Sequence, residues 1–214
     1  MKALLPLLLL AAPAAAQTLD LPAECAPFVT VQQAHCSVTT YARCDGDPEG
    51  SIRGISHDAS GLNMVHLFSE TWHWLDSDYG SYREQILDTT DPIDIVAMRE
   101  TGSDAWSFTM DSAVYGPATY VGDESLTGAT RTLDGFEMLE TEFTLAGTAA
   151  DGTPFLEATG QEWLIPELGI ILGGQVMMGD GSGKPAPQDF SPVSLATPGD
   201  AGFLSTVPTT GCTD

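Results

Sequence analysis

From Cys36 onward the chain alternates short apolar and polar segments between turn signals, the pattern of an all-β protein. Ser37–Tyr41 is β-branched and aromatic, and the loop Asp45–Gly50 follows it. A strand resumes over Ile52–His57, and Ala59-Ser60-Gly61 turns the chain. In Leu62–Phe68 the residues Leu62, Met64, His66 and Phe68 share one face, with Asn63, Val65 and Leu67 on the other. Over Glu70–Asp76, Trp72 and Trp74 fall together, with His73 and Leu75 opposite. Met64, Leu67, Phe68, Trp72 and Leu75 also approximate a helical stripe. Dense aromatic and β-branched residues and the lack of a helix start favour strands there. Further strands are expected at Ala105–Met110, where Trp106, Phe108 and Met110 share a face, and at Phe136–Leu145, Phe155–Ile165 and Ile170–Met177. Asp134-Gly135 and Asp151-Gly152 precede two of these, and such pairs mark hairpins because a tight turn needs positive φ.

One segment reads as helix. Over residues 91–102, Asp91 can cap and Pro92 suits the first helical position. Asp94 then lies in the first turn and Arg99 in the last, both favourable to the helix dipole. Gly102 can close the helix in the left-handed conformation, and Ile93, Val96 and Ala97 supply an apolar face. The expected fold is mainly β (α+β): a curved antiparallel sheet or half-barrel with one or two short helices. Residues 17–35 read as an irregular lead-in, 36–178 as the β-rich domain, and 179–214 as a Gly/Pro-rich tail tied back through Cys212.

The first sixteen residues read as an address. Met1-Lys2 is a short positive start, Leu4–Ala12 an apolar run, and Ala14-Ala15-Ala16 a small-residue cleavage pattern, as in a secretory signal peptide. The run is shorter than the 20 or so apolar residues of a membrane-spanning helix, and no later stretch is long or apolar enough. Export to the periplasm or the extracellular space is expected. It changes the meaning of Cys25, Cys36, Cys44 and Cys212, which in an oxidising compartment favour two disulfides. If Cys36–Cys44 is one extended strand, its ends lie about 26 Å apart, far beyond the ~7 Å that a disulfide spans between Cα atoms. Of the two remaining pairings, Cys25–Cys36 with Cys44–Cys212 is preferred over Cys25–Cys44 with Cys36–Cys212.

Charge narrows the partners. The 214 residues carry 7 Lys and Arg against 30 Asp and Glu, a formal net charge of -23, which becomes -24 once Lys2 leaves with the first sixteen residues. A nucleic-acid partner needs Lys and Arg to displace counterions from phosphates, and docking on anionic lipid needs a basic patch. The acids flank turns and alternate with apolar residues, as suits a solvated sheet face.

The segment Gly160-Gln161-Glu162-Trp163-Leu164-Ile165-Pro166-Glu167-Leu168-Gly169 places an aromatic strand before a Pro-Glu-Leu-Gly turn and a returning strand. With its surroundings over residues 130–177, it resembles secreted bacterial half-barrel proteins, similar in outline to the periplasmic lipoprotein-carrier family. The resemblance implies a curved antiparallel sheet around a hydrophobic groove, plugged by small helices. It transfers no catalytic residue.

Candidate chemistry is sparse. Trp72, Trp74, Trp106 and Trp163 form either core or the lining of an apolar groove, and ligand pockets are mostly apolar with few polar anchors. They are the candidate ligand-binding residues. Asp45-x-Asp47-x-Glu49-Gly50 imitates half a calcium loop, but the twelfth position is Ser56 and the flanks read as strands, so an acidic hairpin turn is the better reading. Asp76-x-Asp78 before Gly80 is weaker still. His35, His57, His66 and His73 share no metal-ligand spacing. Gly183-Lys184-Pro185 fails as a phosphate loop and Gly181-Ser182-Gly183 as a nucleophile elbow. No catalytic residue, metal or cofactor is assigned. The leading expectation is an exported protein that binds a hydrophobic or amphipathic small molecule in the cell envelope. A protein-interaction module recruiting an envelope protein at a sheet edge is the alternative, and an enzyme using His66, Glu70 and His73 is the third reading.

Overall fold

The computed structural model describes residues 17–212; the expected signal peptide, residues 1–16, lies outside them. The strands are β1 (Cys25–Gln33), β2 (Ser37–Cys44), β3 (Ile52–Asp58), β4 (Gly61–Phe68), β5 (Trp74–Asp78), β6 (Arg83–Asp91), β7 (Ser103–Ser112), β8 (Gly116–Leu133), β9 (Phe136–Thr148), β10 (Pro154–Ile165), β11 (Ile170–Gly179), β12 (Ala186–Asp189) and β13 (Pro192–Ala196), with α1 (Ile95–Thr101) between β6 and β7. β1 to β12 form one antiparallel meander, and β13 returns to pair with β1, Val31 opposite Leu195. The result is one large curved antiparallel sheet, mostly strand, with a single short helix and not closed into a barrel.

Register explains the curvature. Antiparallel partners share a face, so Val31, Thr39, Ser56 and Met64 form one row across four strands, and Val29, Tyr41, Gly54, His66 and Ser77 another. Farther along, Trp106 faces Gly122, Leu145 and Ala158. Side chains of β1–β4 (Val29, Tyr41, Ile52, Phe68) share one buried cluster with Met138, Leu164, Ile171 and Leu172 of β9–β11, distant in strand order. The sheet therefore curls its apolar face inward. Phe190 and Ser191 bridge its two ends: the Phe190 N–H donates to the Gly174 carbonyl at 2.9 Å, and the Ala34 N–H donates to that of Ser191 at 2.9 Å.

Several expectations change. The lead-in 17–35 contains β1, whose centre is buried. The tail 179–214 contains β12 and β13, and residues beyond β13 cross the other side of β1. There the Leu204 N–H donates to Thr30 Oγ1, Gln32 Nε2 to the Val207 carbonyl, and the Thr209 N–H to Gln32 Oε1. The helix begins later than expected. Asp94, not Asp91, is its cap, accepting from the Val96 and Ala97 N–H groups, while Asp91 ends β6. This shift buries Ile95 and Met98 and leaves Val96 exposed. Gly102 closes the helix at φ 93°. Residues 62–75 are strand and turn, not helix. Trp72 is not on a strand: it sits at φ 72° in the turn after β4, its N–H donating to the Ser69 carbonyl.

The disulfides are Cys25–Cys44 and Cys36–Cys212, not the preferred pairing. The cause is register: β1 and β2 form a hairpin in which Cys25 lies directly opposite Cys44. Cys36, in the turn, is left for the tail. Two closed disulfides fit an oxidising, exported environment. Among the described residues no helix is long and apolar enough to cross a membrane.

Candidate functional site

A cleft of about 500 Å³ lies over β2, β3 and β4, bounded on one side by Phe190 and Gly211. Its floor follows the register rows. Thr39, Ser56 and Met64 lie side by side, as do Tyr41, Gly54 and His66, and Phe68 extends the apolar part. Gly54 makes room here, since a Cβ would come within 3.2 Å of the Tyr41 ring. The polar edge is already hydrogen-bonded. Ser37 Oγ and Thr39 Oγ1 donate to Gln33 Oε1 at 3.1 Å, and Thr39 Oγ1 and Ser56 Oγ are 2.7 Å apart.

His66 places an imidazole in the middle of this floor. Its Nδ1 lies 2.7 Å from Ser77 Oγ, and its ring sits among Phe68, Trp74 and Tyr79. Burial pulls its pKa down to about 4, only partly offset by Asp76, so the imidazole is neutral at pH 7. A neutral ring offers one donor and one acceptor. Phe68 stacks on Trp72 at 4.0 Å, and Tyr41 tilts against the same indole at 5.9 Å.

Behind these rings lies a second, smaller space of about 70 Å³, lined by Trp72, Trp74, Trp106, Ile93, Phe143, Leu145, Ile171, Glu124 and Glu162. Three of the four candidate tryptophans thus meet at one cavity. Trp163 does not: its side chain is on the other face of β10, under the Arg131 guanidinium at 4.1 Å. Glu124 is 5% exposed and accepts from Thr141 Oγ1 at 2.6 Å. Burial pushes its pKa up to about 7, and burial together with the Glu124 charge raises Glu162.

The other candidates are dispersed. His73 is buried in the turn before β5, where its Nδ1 accepts from the Ile93 N–H at 3.3 Å and its ring meets Phe108 edge-on. Burial lowers it to about 4 as well. Among the described residues no hydrogen bond joins His66, Glu70 and His73. In the acidic turn, the Asp47 carboxylate takes the Arg53 guanidinium, and Asp76 takes Arg83 and Gln85. Among the described residues no group of three or more His, Cys, Asp or Glu is placed to hold a metal ion.

Sequence reasoning missed Tyr41, Phe190, Glu124 and Glu162 as lining residues. Glu162 left a trace. It interrupts the otherwise small and apolar face Ala158, Gly160, Leu164 of β10. Glu124 belongs to β8, which the apolar pattern did not mark. Comparison of the chain with protein-family models, with curated proteins and with solved structures finds no match.

Proposed function

We propose that this is an exported cell-envelope protein that binds a small hydrophobic or amphipathic molecule in the cleft over β2–β4. One observation carries the reading. A space of about 500 Å³, within the range of about 300–1,000 Å³ typical of ligand sites, is lined by both apolar and polar side chains. Tyr41, Met64, Phe68 and Phe190 supply the apolar surface, and Thr39, Ser56, Asn63 and His66 the polar groups. An apolar chain ending in a hydroxyl or amide group matches that lining. Its chain would bury against the aromatic rings, gaining about 25 cal/mol per Å² removed from water. Its head would meet the hydroxyls of Thr39 and Ser56, the Asn63 amide and the His66 ring.

The test is native mass spectrometry of the protein purified from its own envelope without detergent. A bound mass of lipid-like composition, released on denaturation, is expected. Protein that carries no such mass, and acquires none when offered fatty acids and lysolipids, would contradict the reading.

A further inference from the structure

The start of the exported chain carries chemistry that the cleft does not use. The pattern Ala14-Ala15-Ala16 puts the signal-peptide cut before Gln17. The fold supplies a second observation at the same residue. The Gln17 carbonyl accepts from the Thr206 N–H at 3.0 Å and from Thr206 Oγ1 at 3.2 Å. Thr18 bridges to Ser205, and the Leu19 N–H donates to the Leu204 carbonyl at 2.7 Å. The stretch of tail that holds them is itself fixed. Its Leu204 N–H donates to Thr30 Oγ1, its Val207 carbonyl accepts from Gln32 Nε2, and its Cys212 is bonded to Cys36. Chain ends are poorly ordered unless tied down in this way. The fold thus takes hold of the chain at the residue where the cut leaves its new end.

The carbonyl is the engaged part of Gln17. The residue is exposed, and among the described residues its side-chain amide makes no hydrogen bond. A cut before Gln17 frees an α-amino group beside that amide. Such an amine has a pKa of about 7.7–8.0, so at neutral pH part of it is unprotonated and nucleophilic. Nucleophile and electrophile belong to one residue, so attack is intramolecular and needs no encounter with a second molecule.

We propose that Gln17 is a modification site, converted in the exported protein to an N-terminal pyroglutamyl residue. The α-nitrogen forms a bond to the side-chain Cδ, the bond from Cδ to Nε2 breaks, and Nε2 leaves as ammonia with the proton that the amine gives up. The product is a neutral lactam; nothing is oxidised or reduced, and no co-reactant is consumed. The Gln17 backbone carbonyl takes no part, so both bonds from Thr206 survive ring closure. The end loses its positive charge, and with it the free α-amino group that an aminopeptidase requires. Trimming from Gln17 would remove those two bonds and then the bridge from Thr18 to Ser205; the lactam prevents it. The inference rests on export and on the position of the cut, not on what the cleft holds.

Intact mass and whole-chain fragmentation of protein freshly purified from its own envelope, beside Gln17→Glu, test this. The expected mass is that of residues 17–214 with two disulfides, less one ammonia, and the fragments are expected to place the loss at Gln17. Gln17→Glu, whose carboxylate is a far poorer electrophile than an amide, is expected to keep a free α-amino group and its full mass. A chain that begins at Gln17 and retains its ammonia overturns the proposal and leaves export standing. A chain that still carries residues before Gln17 overturns both, and one that begins beyond Gln17 overturns the proposal. Loss of ammonia at another residue, or equally in Gln17→Glu, overturns it as well. Fragmentation of the natural chain keeps the test decisive even where the variant is not exported.

Discussion

Gly122 on β8 lies opposite Trp106 on β7, and a Cβ there would stand 2.3 Å from the Thr144 carbonyl oxygen and 2.4 Å from the Trp106 ring. Neither neighbour can yield cheaply, because one is backbone and the other a ring wedged in the interior. Gly122→Ala is therefore expected to destabilise the fold by about 1–3 kcal/mol, read as a lower urea midpoint at unchanged slope. Phe68 is the complementary case. It is 7% exposed and stacked on Trp72, so Phe68→Ala should cost about 3–5 kcal/mol and open the cleft toward the smaller cavity. The residue scale is also where the sequence was least legible. That Trp106 belongs inside followed from alternation with Phe108 and Met110. That Trp163 belongs elsewhere depends on Arg131, a residue on β8 brought beside it only by strand pairing.

At the scale of elements, the two disulfides have separable jobs. Cys25–Cys44 staples one hairpin, whereas Cys36–Cys212 holds the tail across β1 from 176 residues away. Cys36→Ser with Cys212→Ser is expected to lower stability by about 2–4 kcal/mol. It should also make residues 197–212 the first site of limited proteolysis, with the β1–β2 hairpin intact by mass. Most strands were legible because their signals are local. Asp134-Gly135 turns the chain with both residues at positive φ, and Gly152 does the same after Asp151. Two of the elements that escaped, β1 and β13, are held together by a pairing distant in sequence. β13 is five residues long and becomes a strand by pairing with β1. β1 carries Pro27, accommodated where its register with β2 shifts. The disulfide pairing was misjudged for the same reason, since it follows from the register of a strand that the apolar pattern did not reveal.

Across the whole molecule, two histidines and two glutamates whose pKa values burial shifts act on stability in opposite directions. His66 and His73 are held near pKa 4, below the ordinary 6.5, so their contribution is present above pH 6.5 and lost as pH falls toward 4. Glu124 is raised from 4.5 to about 7 and Glu162 is raised with it, so theirs is present below pH 4.5 and lost as pH rises through 7. The melting temperature should accordingly be nearly level between pH 4.5 and 6.5 and fall above that range. Glu124→Gln with Glu162→Gln should abolish the alkaline fall, and a thermal melt series across pH checks both statements. The proposed ligand site is the cleft over β2–β4, with Tyr41, Met64, Phe68 and Phe190 in its lining. The most direct measurement is a fluorescence titration with a neutral long-chain probe, comparing the unmodified protein with Met64→Trp, which fills the cleft floor. Saturable binding at one site, weakened at least about tenfold in Met64→Trp at an unchanged melting temperature, is the expected result. Non-saturable binding, or identical binding by the two proteins, would contradict it.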